Sequence, residues 1–259
     1  MLRGPLTPLI GKATLPNEFG VERASGGLRM SRLRVATGLG IAIGGGAAVV
    51  ALVAFLLTRP GPNSAALHAT VKGTVKTAHG VLPHAYLNLE TWPDSLAGEH
   101  GSDGGAHPDW VSYGPSTNLF VPAHSYVTVT IRQYDTGGRI TNPYFATSHG
   151  TVGGTIKVDG KTVRGINPNS VGHTFTLRAA PTNQTPLFVS VPLPAVADSA
   201  PVVKGTNYPA PHTVQFSFIT GSRGDYVWNC EFPCGDGYYA SFGGPMGTRG
   251  YMSGTLTVE

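Results

Sequence analysis

Two cysteines near the end of the chain are the residues with the clearest capacity for chemistry. Cys230 and Cys234 are the only cysteines among 259 residues, and three residues separate them. Thiolate sulfur is a soft ligand that suits copper, and two cysteines this close can instead form a disulfide in an oxidising compartment. The sequence therefore leaves three states open for this pair: a disulfide without metal, a copper site, or free thiols with another role.

The residues around the two cysteines extend this pattern. Residues 226–235 read YVWNCEFPCG, and the chain ends on Met252 followed by a strand-like stretch, SGTLTVE. Upstream, His173 heads another strand-like stretch, and residues 121–130, VPAHSYVTVT, precede it. These features, spread over residues 115–259, resemble the cupredoxin family, and within it the binuclear copper (CuA) domain of cytochrome c oxidase subunit II.

The resemblance implies a fold, a metal and a set of ligands. The fold would be all-β, a cupredoxin-like Greek-key β-sandwich, and the metal would be copper that passes single electrons. The implied copper ligands are His173, Cys230, Cys234, Met252 and the backbone carbonyl of Phe232. Trp228 would be the point at which electrons enter the site. No haem-binding or nucleophilic motif is evident, so the chain would act as an electron-transfer subunit of an oxidoreductase and not as an enzyme on its own.

One position departs from the family's pattern. Four residues after Cys234, where the family has its second histidine, this chain has Tyr238, and no histidine follows His212. A phenol, whose ordinary pKa is near 10, is a hard and poor replacement for imidazole. His212 could take that role only if its strand ends at the same pole of the sandwich. The run Tyr239–Tyr251 also lengthens the segment before Met252, where the family has two residues.

An apolar segment near the start of the chain predicts a membrane anchor. Residues 35–57 form a run of 23 residues without a charged side chain, long enough as a helix to span a bilayer core of about 30 Å. Arg29, Arg32 and Arg34 flank this segment on its N-terminal side, and Arg59 alone flanks it on the C-terminal side. The positive-inside rule then predicts a single-pass protein of the cell membrane, with residues 1–34 as a cytoplasmic tail. Residues 58–66 would be a linker and residues 67–259 an extracytoplasmic domain; a cleaved signal peptide is the alternative.

Composition supports this division of the chain. The 36 glycines and 21 prolines argue against a helical bundle, because both residues disrupt helix interiors. Beyond residue 60 there are 11 basic and 12 acidic side chains, so the net charge of the outer domain gives no support to a nucleic-acid partner. Short alternating segments separated by turns predict many strands. The predicted strands lie within 119–131, 154–158, 173–177, 187–191, 214–219, 226–228 and 254–258.

Three functions remain open on the sequence alone. The first is a membrane-anchored, subunit II-like cupredoxin that binds copper and transfers electrons in a respiratory chain. The second is a metal-free structural or assembly subunit of a membrane oxidase complex, stapled by a Cys230–Cys234 disulfide. The third is a copper carrier, for which Met246 and Met252 would suit Cu(I). Loss of the second histidine favours the second hypothesis, whereas retention of His173 beside both cysteines favours the first.

Overall fold

A computed structural model describes residues 45–54, 64–93, 110–180, 185–206, 208–234 and 244–259. The chain divides between Arg59 and Pro60 into two compact units. In the first unit, residues 45–54 are helical and exposed, and they lie inside the predicted membrane segment 35–57. Within the described ranges, no helix is long and apolar enough to span a membrane. The anchor and its orientation therefore stay predictions.

The second unit is built from two β-sheets, which confirms the predicted β-sandwich class. Alternating apolar and polar residues in most strands give each sheet one buried and one solvated face. The strands in chain order are β1 (Ala66–His68), β2 (Thr70–Thr77), β3 (Gly80–Trp92), β4 (Ser112–Gly114), β5 (Asn118–Val121), β6 (Tyr126–Gln133), β7 (Ile156–Val158), β8 (Lys161–Val163), β9 (Val171–Ala179), β10 (Phe188–Pro194), β11 (His212–Ile219), β12 (Gly224–Asn229) and β13 (Ser253–Val258).

The order of strands shows how the chain moves between the two layers. One sheet runs β1-β5-β13-β12-β9-β10, and the other runs β2-β3-β6-β11-β7-β8, with β4 added beside β3. The chain crosses from one sheet to the other after β1, β4, β5, β8, β10 and β11. Such repeated crossing is typical of Greek-key sandwiches. Both sheets are mixed, since β5 pairs in parallel with β13 and β3 pairs in parallel with β6.

The core between the sheets is dense in aromatic rings. Trp228 on β12 is only 1% exposed, and its ring lies 4.8 Å from the ring of Tyr113 and 5.2 Å from that of Phe175, measured between centroids. The indole Nε1 of Trp228 donates to the carbonyl of Thr117 at 3.2 Å, which satisfies its one polar group. This aromatic cluster lies beneath the strand ends that carry the cysteines and His173.

Most strand predictions are confirmed, and the errors have simple causes. Pro122 divides the predicted 119–131 segment into β5 and β6, because proline cannot donate to a strand ladder. A 3₁₀ turn, Val152–Gly154, occupies the start of the segment predicted from residue 154. The strands β1 to β4 and β8 were not predicted. β1 begins at Ala66, so the last residue of the predicted linker already belongs to a strand.

Candidate metal centre

Three predicted ligand side chains meet at one end of the sandwich. The His173 Nδ1 atom lies 3.0 Å from the Cys234 sulfur and 3.9 Å from the Cys230 sulfur, and the two sulfurs are 3.3 Å apart. All three donor atoms lie within 4.8 Å of one another. None of the three residues is more than 4% exposed. An imidazole nitrogen and two thiol sulfurs therefore converge in a water-poor site.

The ends of neighbouring strands place these side chains. His173 lies near the start of β9, and Cys230 follows the last residue of β12, the strand paired with β9. The backbone N–H of Cys230 donates to the carbonyl of Met252 at 2.9 Å, just before β13 begins. Adjacent strands of one sheet thus bring residues 57 positions apart in the chain to the same pole.

The remaining two predicted ligands also lie at this pole. The Phe232 carbonyl oxygen accepts from the Cys234 thiol at 2.9 Å and from the Cys230 thiol at 3.3 Å. Met252 is fully buried, and Met246 packs against the same apolar core. Whether these groups bind a metal stays a prediction, but the structure places the Phe232 carbonyl beside both sulfurs.

Asp135 is a partner of the site that the sequence analysis did not identify. Its Oδ2 atom lies 2.9 Å from the Nε2 atom of His173. A carboxylate can only accept, so Nε2 donates its proton to Asp135. When the imidazole gives up its second proton, as it must to bind a metal, the lone pair lies on Nδ1, on the side of the sulfurs. Asp135 begins the run DTGG, and the available signal was its position in this glycine-containing run, four residues after the predicted strand segment 119–131.

Thr174 is a second partner that the sequence analysis missed. Its backbone N–H donates to the Cys230 sulfur at 3.3 Å, and its Oγ1 accepts from the backbone N–H of Glu231 at 2.7 Å. Tyr113 donates its hydroxyl to the Thr174 carbonyl at 2.9 Å. These bonds fix the backbone beside the sulfur, and a hydrogen bond to sulfur stabilises the thiolate form.

The two thiols have opposite pKa shifts. Burial disfavours the Cys230 thiolate, but hydrogen bonds from Cys234 and His173 and the charge on His173 outweigh burial and hold the pKa of Cys230 well below its ordinary value. Burial raises the pKa of Cys234 well above its ordinary value, and its hydrogen bond to Cys230 and the negative charges of Cys230 and Asp135 raise it further. Cys230 is therefore the more readily ionised thiol of the pair.

His173 has a strongly shifted pKa as well. Burial lowers the pKa of its imidazole, but the hydrogen bonds to Asp135 and Cys230 and the charges on both groups outweigh burial and raise the pKa to about 9. Tyr113 lies beside the same thiols, and burial followed by the charges on Cys230 and Cys234 raises its pKa well above the ordinary value. Tyr113 is therefore a neutral hydrogen-bond donor.

A cleft connects this cluster to solvent. The cleft has a volume of about 350 Å³, and its walls include Asp135, His173, Phe232 and Cys234. Thr136 and Gly137 lie at its exposed rim. His173 and Cys234 are thus the two members of the cluster that line this cleft.

Three expectations about the site need revision. Trp228 is buried in the core, so it is not a surface point where electrons enter. His212 starts β11 and its Nδ1 atom bonds Asp159 at 2.7 Å, so it is not the missing second imidazole. Both cysteines are free thiols in the structure, so the disulfide alternative is not the state it shows.

Part of the long segment between Cys234 and Met252 lies outside the described residues. This applies to Tyr238, which replaces the family's second histidine, and to residues 239–243 of the run that ends at Tyr251. The rest of that run contains a helical turn, Gly244–Gly247, and the buried side chain of Tyr251, whose ring lies 5.0 Å from the ring of Trp110. The carbonyl of Pro245 accepts from the N–H of Met252 at 3.2 Å, which ties this turn to the site.

The donor set fits a thiophilic metal such as copper or zinc, and not the hard cations magnesium and calcium. Soft thiolates beside an imidazole suit copper, whereas magnesium and calcium require oxygen ligands. A carboxylate hydrogen-bonded to the far nitrogen of a histidine is the usual support of a metal-binding imidazole. The cluster of His173, Cys230 and Cys234, with Asp135 behind it, could hold a copper ion.

Comparisons with known proteins found similarity among solved structures alone. No family profile matches the chain, and no curated protein matches it. Rusticyanin from Thiobacillus ferrooxidans has 14% identity, with 80% of this chain and 90% of rusticyanin covered, at a TM-score of 0.34. Auracyanin B has 13% identity at a TM-score of 0.31, and the match covers 77% of this chain and 99% of auracyanin B. Auracyanin A, a "blue" copper protein from Chloroflexus aurantiacus, has 13% identity at a TM-score of 0.31. That match covers 68% of this chain and 99% of auracyanin A.

These similarities are distant. All three TM-scores lie below 0.5, so the class of protein is defined by what the chain itself shows. That class is a two-sheet β-sandwich with a buried imidazole and two thiols at one pole.

Proposed function

We propose that residues 67–259 form a cupredoxin-type domain that binds copper and transfers single electrons. The observation that carries this proposal is the buried cluster of His173, Cys230 and Cys234, whose donor atoms lie within 4.8 Å of one another. Met252 and the Phe232 carbonyl are the proposed weaker ligands. Bound copper would supply reversible one-electron chemistry between Cu(I) and Cu(II).

The residues of the chain have distinct tasks in this function. His173 and the two cysteines provide the donor atoms, and the packed strands exclude water from them. Asp135 holds the His173 ring, and the Thr174 N–H bonds the Cys230 sulfur. Ligands held rigidly move little when the metal changes its charge, which favours fast electron transfer over ligand exchange.

The wider setting is also a proposal. We propose that residues 35–57 anchor the domain as a single-pass helix in the cell membrane, with residues 1–34 cytoplasmic and the copper site on the outer face. In that position the domain would serve as a subunit II-like part of a membrane oxidase or would meet a redox partner protein. The uncharged run 35–57 and its asymmetric arginines support this proposal.

Copper stoichiometry tests the proposed function. The full-length chain, purified under reducing conditions and loaded with Cu(I), is expected to retain copper after removal of free metal. His173→Ala or Cys230→Ser is expected to weaken retention at least tenfold, because each removes a donor atom. His212→Ala is the matched control, since this histidine bonds Asp159 away from the cluster. Copper uptake that is absent, or equal in all four proteins, would contradict the proposal.

A metal-free structural subunit is the second candidate. The observation that favours it is the 3.3 Å separation of the two sulfurs, close enough for a small shift to join them. A thiol count under denaturing conditions, without reductant, separates the candidates. Two reactive thiols in copper-free protein from an oxidising compartment support an open metal site, whereas none supports a disulfide-stapled domain.

A further inference from the structure

Both carboxylate oxygens of Asp135 accept hydrogen bonds, an arrangement that ordinary packing against His173 would not require. Oδ2 accepts from the His173 Nε2 atom at 2.9 Å, and Oδ1 accepts from the backbone N–H of Thr136 at 2.7 Å. The carboxylate cannot rotate without loss of one bond. The plane of the group therefore fixes the direction in which the imidazole N–H must point.

The backbone of Asp135 is held equally firmly. Its carbonyl accepts from the Val196 N–H at 2.9 Å and from the Gln133 amide nitrogen at 3.0 Å. The turn that follows lies directly against β9, since a Cβ atom on Gly137 would come within 2.1 Å of the Val171 carbonyl oxygen. Asp135 is thus rigidly placed relative to the strand that carries His173.

A second aspartate–histidine pair in the same domain provides a comparison. Asp159 bonds the Nδ1 atom of His212 at 2.7 Å, but the two side chains are 47% and 36% exposed. Neither residue belongs to the thiol cluster. By contrast, His173 is 1% exposed and its second ring nitrogen faces the two sulfurs. The Asp135–His173 pair therefore lies beside the two sulfurs, and the Asp159–His212 pair does not.

We propose that Asp135 is a positioning residue, which keeps the proton of His173 on Nε2 and so leaves Nδ1 free to bind copper beside Cys230 and Cys234. This inference rests on the proposed copper site. It concerns a residue that touches no metal, and it assigns the metal-facing nitrogen of His173.

The isosteric variant Asp135→Asn gives a result that a packing role would not. The Thr136 N–H needs an acceptor, so the amide oxygen of asparagine takes the place of Oδ1 and its NH₂ group faces His173. That NH₂ group donates to Nε2, which moves the imidazole proton to Nδ1 and removes the lone pair from the sulfur side. Asparagine therefore selects the wrong tautomer although it fills the same volume.

The experiment compares Cu(I) affinity, by competition with a chelator, in the full-length wild type, Asp135→Asn, Asp135→Ala and Asp159→Asn. Asp135→Asn is expected to lose affinity by about 10- to 100-fold, the usual effect of an outer partner of a ligand. Asp135→Ala, which imposes no tautomer, is expected to lose less than Asp135→Asn. Asp159→Asn makes the same chemical change at the exposed pair and is expected to match wild type.

Nitrogen NMR of the His173 ring in the Cu(I) protein gives a readout other than affinity. The wild-type ring is expected to carry its proton on Nε2 and to bind metal through Nδ1. Equal affinity of Asp135→Asn and wild type, or a proton on Nδ1 in the wild type, would overturn the inference and leave the copper site intact. A wild-type chain without copper would instead overturn the proposed function, and this inference with it.

Discussion

Tyr113 and Thr174 are joined across the two sheets by a hydrogen bond from the Tyr113 hydroxyl to the Thr174 carbonyl, at 2.9 Å. Thr174 is fully buried, and the N–H of Glu231, two residues beyond the end of β12, bonds its side-chain Oγ1 at 2.7 Å. The tyrosine therefore supplies a donor to the Thr174 carbonyl. Because the N–H of Thr174 bonds the Cys230 sulfur, this contact links the core to the candidate copper site.

Removal of this hydroxyl should lower the stability of the domain. Tyr113→Phe leaves a buried carbonyl without its donor, so the free energy of unfolding is expected to fall by about 1–3 kcal/mol. Urea unfolding at neutral pH measures this change. Tyr144→Phe is the control, because that ring is 45% exposed and its stability effect is expected to be close to zero. Equal effects of the two substitutions would show that the hydroxyl of Tyr113 contributes little.

Two adjacent glycines provide a test of the turn that carries Asp135. A Cβ atom on Gly137 would lie 2.1 Å from the Val171 carbonyl oxygen, whereas one on Gly138 would meet nothing within 4 Å. Gly137→Ala is therefore expected to push the turn from β9, to destabilise the domain by about 1–3 kcal/mol, and to weaken copper binding.

Gly138→Ala is the matched control for that substitution. It adds the same methyl group one residue further along the same turn, into open space. Its unfolding free energy and its copper affinity are expected to match wild type. A turn that tolerates both alanines equally would contradict the close approach between this turn and β9.

The exposed pair Asp159–His212 predicts a pH dependence of stability. Burial raises the pKa of Asp159, but hydrogen bonds from the Thr213 N–H and His212, with the nearby positive charges of His212 and Lys161, outweigh burial and lower the pKa below its ordinary value. A carboxyl whose pKa is depressed in the folded state adds stability above its unfolded pKa, and this stability is lost as the pH falls through the folded pKa.

Unfolding of wild type and Asp159→Asn at several pH values measures this contribution. Wild type is expected to be the more stable protein at pH 6–7, and the difference is expected to vanish in strong acid. Asparagine is a fair replacement here, since Asp159 has a φ of 49° in a tight turn and asparagine tolerates that conformation. A difference that stays constant with pH would mean that the charge of Asp159 adds nothing.

The sequence located the cluster of His173, Cys230 and Cys234 better than it located the residues around the cluster. The strand before Cys230 and the strand headed by His173 each have a local alternation of apolar residues, so both could be located without knowledge of the fold. Their adjacency follows from the pairing of β9 with β12. That pairing is a tertiary property, and the sequence could anticipate it through the family resemblance alone.

Asp135 shows why the rest of the site could not be predicted. In the sequence it is one polar residue in a glycine-rich turn, and its bond to His173 spans 38 positions. Nothing local distinguishes it from Asp159, which also lies in a glycine-containing turn and also bonds a histidine. The two roles differ because one histidine faces thiols inside the sandwich and the other lies partly in solvent.

The visible absorption spectrum of the copper-loaded, oxidised full-length protein tests the central claim most directly. Thiolate coordination by Cys230 and Cys234 predicts an intense sulfur-to-copper charge-transfer band that disappears on chemical reduction and is absent from the double variant Cys230→Ser/Cys234→Ser. Copper that is bound without such a band, or a band that persists in the double variant, would show that the thiols at this pole do not hold the metal.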